Sequence, residues 1–158
     1  MKSFQSLAAL SLYALPLALA QKPPLLTNVT VFDPPANYTI PRTLYARVRA
    51  LCDDKNTLLA VWENYLPTDN PEETCPDNCP VNPYVPVYQS LDQGKTWTER
   101  AKVYDQVNGW GLRYQPALYE MTEAVGDYPA GTLLLAANSI PTDLSETKLD
   151  VYASTDEG

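Results

Sequence analysis

Short apolar runs rich in β-branched and aromatic residues recur along the chain: Leu44 to Leu51, Leu58 to Trp62, Val85 to Gln89, Leu133 to Ala137 and Leu149 to Ala153. Clusters of Pro, Asn, Asp and Gly punctuate them. Runs of this length between turn residues read as strands. Fifteen prolines in 158 residues leave little room for long helices, so the predicted class is all-β. Disorder is the competing reading of so much proline. An apolar content of 45% and eleven tyrosines favour a packed core instead.

The runs repeat. Thr57-Leu58-Leu59-Ala60-Val61-Trp62-Glu63-Asn64 resembles Thr132-Leu133-Leu134-Leu135-Ala136-Ala137-Asn138-Ser139, 75 residues later, and the same offset pairs Pro41 with Pro116. Val87-Tyr88-Gln89-Ser90-Leu91-Asp92-Gln93-Gly94 matches Val151-Tyr152-Ala153-Ser154-Thr155-Asp156-Glu157-Gly158, now 64 residues apart. An 11-residue insertion in the first repeat accounts for the shrinkage, and Pro67 to Pro83 is the natural place for it. Two repeats of about four strands each have the pattern of propeller blades.

The N-terminus has a different character. Lys2 is followed by an apolar stretch from Leu7 to Leu15 and from Leu17 to Ala20, ending in Ala18-Leu19-Ala20 before Gln21. A cationic start, a short apolar core and small residues at −3 and −1 make a secretory signal peptide over residues 1–20. The alternative, a membrane anchor, needs roughly 20 predominantly apolar residues. Here Ser3, Gln5, Ser6, Ser11 and Pro16 interrupt the run. The expected product is soluble, secreted and extracellular. Its formal charge of −8, or −9 once Lys2 leaves with the leader, argues against nucleic acid and anionic membranes as partners. Asn28-Val29-Thr30 and Asn37-Tyr38-Thr39 are glycosylation acceptors by pattern, in a polar lead-in segment over residues 21–40.

Three cysteines and no histidine narrow the chemistry further. Cys75 and Cys79 enclose a very short Pro/Asp/Asn loop, where a local disulfide is expected. Zinc would need further ligands. Cys52 ends an apolar run and reads as a buried thiol. Without histidine the chain holds no Ser-His-Asp or Cys-His relay and no zincin helix. The six glycines are scattered and form no phosphate loop. No cofactor and no metal are expected. Catalysis would rest on carboxylates, tyrosines or arginines, which points to glycosyl transfer or hydrolysis on paired Asp/Glu.

Ser90-Leu91-Asp92-Gln93-Gly94-Lys95-Thr96-Trp97 fits S-x-D-x-G-x-T-W, the Asp-box of sialidase-type propellers. Its mechanics are local. Ser90 and Asp92 bond backbone groups of a tight turn, Gly94 supplies a positive φ, Thr96 completes the motif, and Trp97 packs under the hairpin. Asp92 is therefore a structural staple, not a catalytic acid. Ser154, Asp156 and Gly158 begin a second box, and the sequence stops before its Thr-Trp. Further segments extend the likeness: Tyr38 to Leu44, Leu58 to Tyr65, Gln106 to Pro116 and Tyr128 to Thr132. Together they resemble fungal BNR/Asp-box proteins and, more narrowly, glycoside hydrolase family 93, the exo-α-1,5-L-arabinanases. The resemblance implies a six-bladed propeller, of which this sequence covers about the first two blades. Residues 41–105 would form the first blade, with its Asp-box at 90–97, and residues 106–158 a second that breaks off within its box. It also implies a retaining attack on the non-reducing end of arabinan and a monomer at full length. The two catalytic glutamates of the family belong to later blades, so no catalytic residue is assigned here and the 158 residues alone are expected to be inactive.

Sialidases open their first blade with Arg-Ile-Pro, whose arginine grips a carboxylate. Here the order is Ile40-Pro41-Arg42, after Thr39. A neutral pentose polymer or oligosaccharide fits that departure better as substrate. A sialidase-like hydrolase of another sugar stays open, as does a propeller that binds glycan or protein without cleaving it. Innermost strands line a propeller's funnel, so polar groups at their ends are the substrate-binding candidates. Arg42 heads the first strand, Glu63 ends the second, and Asn138 takes Glu63's place in the next repeat. Arg113 and Gln115 precede Pro116, while Trp110 and Tyr114 could stack on a sugar. The plainer readings are that Arg42 pairs with Glu63 and that Trp110 is core.

Overall fold

The computed structural model describes residues 28–52, 56–66 and 82–156. The expected signal peptide, Cys75, Cys79 and Gly158 lie outside them. Seven strands are formed, and no helix occurs among the described residues. The first sheet contains β1 (Thr43–Ala50), β2 (Leu58–Asn64), β3 (Val85–Ser90) and β4 (Thr98–Val103), in that order. The second contains β5 (Leu112–Glu120), β6 (Leu133–Ser139) and β7 (Lys148–Ser154). Every neighbouring pair is antiparallel. The all-β expectation is met, in two consecutive meander sheets of the kind that make propeller blades.

The repeat in sequence is a repeat in hydrogen-bond register. Leu58 opposes Ser90 as Leu133 opposes Ser154, and Val61 opposes Val87 as Ala136 opposes Val151. Extra length in the first sheet falls in the β2–β3 connection, where the insertion was expected. Pairing Pro41 with Pro116 is wrong, however. Thr43 opposes Asn64 as Leu112 opposes Ser139, so the first strands are related by a shorter offset than the second strands. Pro41 precedes β1, whereas Pro116 lies inside β5. The reason is a bulge. Tyr45 and Ala46 face Trp62 alone in the first sheet; Tyr114, Gln115 and Pro116 face Ala137 alone in the second. One extra residue in β5 breaks any constant spacing.

The core lies between the sheets. Leu59, Val61, Val85 and Val87 pack against Leu112, Leu133, Leu135 and Ala137. Burying a side chain of this size stabilises by about 1.5–3 kcal/mol. β6 alternates buried and half-buried positions, as a strand with one face on the core should. β2 is buried almost throughout, because the lead-in segment covers its other face. Phe32 stacks on Trp62 at 5.1 Å between ring centroids and meets Tyr88 edge-on at 5.7 Å. Trp62 and Tyr88 are 4.8 Å apart.

Cys52 is exposed, against the expectation of a buried thiol. β1 is an edge strand of its sheet and most of its own side chains are exposed. An apolar run there does not imply enclosure. Cys52 follows the end of that strand, and its N–H donates to Oε2 of Glu120 at 2.7 Å.

Strand direction sorts the candidate residues. β1, β3, β5 and β7 begin, and β2, β4 and β6 end, at one end of the two sheets. Arg42, Glu63, Trp110, Arg113 and Asn138 all belong to that end. The Ser90 to Trp97 turn lies at the other.

Candidate functional site

At the shared end, Glu63 is the centre of the closest grouping. It is only 2% exposed, yet its position next to the end of β2 brings it against β5 of the other sheet. The hydroxyl of Tyr65 donates to its Oε2 at 3.2 Å. The backbone N–H of Tyr114 donates to the same carboxylate, and the Arg113 guanidinium lies close enough to act on its charge. Burial pushes the Glu63 carboxyl above its ordinary value, against the pull of Tyr114, Tyr65 and Arg113. Tyr65 is itself pushed up to about 12, by burial first and then by the Glu63 charge, with Tyr114 and Tyr45 contributing.

The two bulges supply the rest. Tyr45, Tyr114 and Gln115 have φ of 56°, 52° and 47°, in the left-handed region that side-chain-bearing residues rarely adopt. Bulges re-aim side chains and are frequent beside active sites. Here they leave Tyr45, Tyr114 and Gln115 exposed. Asn138 donates from Nδ2 to the Tyr114 carbonyl at 3.3 Å. The Nε of Arg113 is buried with no hydrogen-bond partner.

Five of the sequence candidates thus come together: Glu63, Arg113, Tyr114, Gln115 and Asn138. Tyr45 and Tyr65 were missed. Tyr65 directly follows the Glu63-Asn64 pair, and that adjacency was the only signal in the sequence. Arg42 does not pair with Glu63 as the plainer reading had it. Its Nη2 donates to the Ala36 carbonyl at 3.4 Å, within the lead-in segment.

Trp110 belongs to a second polar cluster, built on Asp105. This carboxylate accepts from the N–H groups of Val107, Asn108, Trp110 and Gly111 at 2.9–3.2 Å. It also accepts the hydroxyls of Ser139 at 2.6 Å and Tyr152 at 3.3 Å. Burial raises the Asp105 carboxyl, but these bonds outweigh it and hold it down at about 2. Asn108 extends the network to Ser139 and Asp150, each at 3.0 Å. Lys148 places its Nζ 4.2 Å from the centre of the Trp110 ring, so one face of that indole is already taken.

The Ser90 to Trp97 turn is closed by its own side chains. Ser90 Oγ donates to Asp92 Oδ1 at 2.8 Å and accepts from the Gly94 N–H at 2.8 Å. Asp92 accepts the N–H groups of Lys95 and Thr96 and the Thr96 hydroxyl at 2.7–3.0 Å. Gly94 has φ of 88°, and its carbonyl accepts the Trp97 indole N–H at 3.1 Å. Ser154 donates to Asp156 in the second sheet. Arg100 of β4 links β3 to the second turn, from Gln89 Oε1 at 2.6 Å to the Asp156 carbonyl at 3.3 Å. Asn28 and Asn37, the glycan acceptors by pattern, are exposed.

Chemically, Asp105 is saturated by protein donors, and Glu63 is engaged by two. The arrangement orients polar and aromatic groups. Among the described residues no cluster of His, Cys, Asp or Glu could hold a metal ion, and no helix is long and apolar enough to cross a membrane.

No protein-family model matches the chain, and no curated protein matches it. Solved structures do. The Penicillium chrysogenum α-L-arabinanase complexed with arabinobiose is 52% identical, with a TM-score of 0.74, over 86% of this chain and 35% of that one. The GH93 α-L-arabinofuranosidase of Fusarium graminearum with arabinobiose is 50% identical, with a TM-score of 0.72, over 84% of this chain and 33% of that one. The same figures hold for the Fusarium graminearum enzyme with an iminosugar inhibitor. The chain therefore spans about a third of the length of the structures it matches. At half-identical sequence and with the same all-β sheets, the chain is similar to the corresponding third of a glycoside hydrolase family 93 enzyme.

Proposed function

We propose that the chain is part of a secreted glycoside hydrolase of plant cell-wall arabinan, acting from the non-reducing end with retention of configuration. Its own contribution is one wall of the sugar-binding cleft, made by Arg113, Tyr114, Gln115 and Tyr45 over the buried Glu63. Arg42 adds to it where the lead-in segment meets β1. The observation that carries this reading is the 52% identity to an arabinanase complexed with arabinobiose. The tyrosines suit a pentose: each offers an apolar ring and a hydroxyl. No arginine stands before Ile40, where a carboxylate sugar would need one, so the substrate is neutral. The catalytic carboxylates are contributed by other parts of the polypeptide, and the working protein is a monomer.

The test is product analysis with the complete natural polypeptide on linear arabinan and on sialosides. Release of arabinose or arabinobiose from chain ends, with sialosides untouched, is the expected result. Release of sialic acid with arabinan intact would overturn the reading, and binding without release would make the protein a lectin.

A further inference from the structure

The backbone of Tyr114 is held at its N–H and at its carbonyl, by equivalent residues of the two sheets. Glu63 opposes Leu44 in the first sheet, and Asn138 opposes Arg113 at the same register position in the second. Both side chains turn to the backbone of one residue, one to each of the two peptide groups that flank its Cα. Glu63 accepts the Tyr114 N–H, and Asn138 donates to the Tyr114 carbonyl at 3.3 Å. We infer that Glu63 and Asn138 are positioning residues, which clamp the β5 bulge so that Arg113, Tyr114 and Gln115 meet the sugar. The inference rests on the reading of this cleft as an arabinan site.

Tyr114 and Gln115 are consecutive non-glycine residues at positive φ, and such a conformation persists only where its surroundings over-determine it. Pro116, fully buried, fixes the far side of the bulge. It also disfavours a compact helical conformation for the residue before it. On the near side the Tyr114 backbone has Glu63 at its N–H and Asn138 at its carbonyl. The outcome is an exposed Tyr114 ring and Gln115 side chain beside the unpartnered Nε of Arg113. Glu63, by contrast, is 2% exposed and already committed to Tyr65 and Tyr114. It is placed to act through its neighbours.

The complete natural polypeptide serves for the test, with arabinobiose titrated by calorimetry and the Tyr114 amide followed by hydrogen exchange. Hydrogen bonds to a charged group are among the stronger ones, so E63A should weaken arabinobiose about tenfold or more. E63Q keeps an oxygen acceptor and should recover most of that loss. In a Y114A background, E63A should add less than about threefold, since coupled residues are not additive. Asn138→Asp removes the donor and should weaken binding in the same Tyr114-dependent way. The Tyr114 amide should exchange faster in E63A and slow again in E63Q, a readout independent of sugar. An E63Q as weak as E63A, an E63A effect undiminished in Y114A, or an unchanged Tyr114 amide would each overturn the clamp. Should the wild type bind no arabinobiose while the Tyr114 amide responds as stated, the clamp stands and the arabinan assignment falls.

Discussion

Ser139 donates its hydroxyl proton to Asp105 across 2.6 Å, joining the end of β6 to the connection that leaves β4. Through this bond and that of Tyr152, one carboxylate ties the linker between the sheets to two strands of the second sheet.

The first prediction follows from that carboxylate. Its folded value of about 2 lies below the ordinary 3.8. A depressed carboxylate contributes stability above its unfolded value and loses it as pH falls through the folded one. The Asp105 contribution should therefore be complete near neutral pH and disappear between about pH 4 and pH 2. Asp105 is partly open to water, and screening reduces the contribution to roughly 1 kcal/mol. Chemical unfolding of wild type and Asp105→Asn should show a difference at pH 6 that closes below pH 3. A difference independent of pH would show that shape and not charge matters at this position.

The turn at the opposite end makes a second case. Ser90 is buried, and its Oγ serves both Asp92 and the Gly94 N–H. Ser90→Ala leaves those groups without their partner and should cost about 1–2 kcal/mol. Arabinobiose binding should be unaffected by it in protein that is still folded, because the turn is remote from Glu63. Thermal unfolding paired with calorimetry measures both quantities.

Gly111 allows the sharpest steric prediction. Its φ is 103°, and a Cβ there would sit 2.6 Å from Cδ of Pro83 and 3.0 Å from its backbone nitrogen. Proline has no flexible end to swing away. Gly111→Ala should destabilise by more than about 2 kcal/mol. A variant melting within a degree of wild type would contradict the close approach of the two segments.

Phe32 tests the lead-in segment. Its ring bridges Trp62 and Tyr88, so Phe32→Ala should cost about 2–3 kcal/mol and expose Trp62. A red shift of tryptophan fluorescence in the folded variant is the accompanying signature. Unchanged stability would mean that β2 does not depend on the segment for its second face.

Much of the fold was legible because it is local. Five of the seven strands announce themselves in apolar runs rich in β-branched and aromatic residues, while β4 and β5 carry no such run, and Asp92 and Ser90 find their partners within four residues. The offsets of β2 to β6 and β3 to β7 could be read directly, since no residue is inserted within those strands. The error over Pro116 arose where a bulge adds a residue, which leaves no mark on composition. Cys52 was misjudged because apolarity alone does not tell an edge strand from a central one.

The sequence by itself determined five of the strands, the turn chemistry, the repeat and the family likeness, all of which depend on residues close along the chain. Tertiary structure alone decided the site. Glu63 meets the Tyr114 N–H, and Asp105 meets Ser139 and Tyr152, across separations of 34 and more residues. A buried carboxylate is stable only with its donors in place, and beside the local ones the Tyr114 N–H and the Ser139 and Tyr152 hydroxyls arrive from the second sheet. Which tyrosine faces solvent and which supports Glu63 depends on how two bulged strands pack, a property that no single segment of the chain carries.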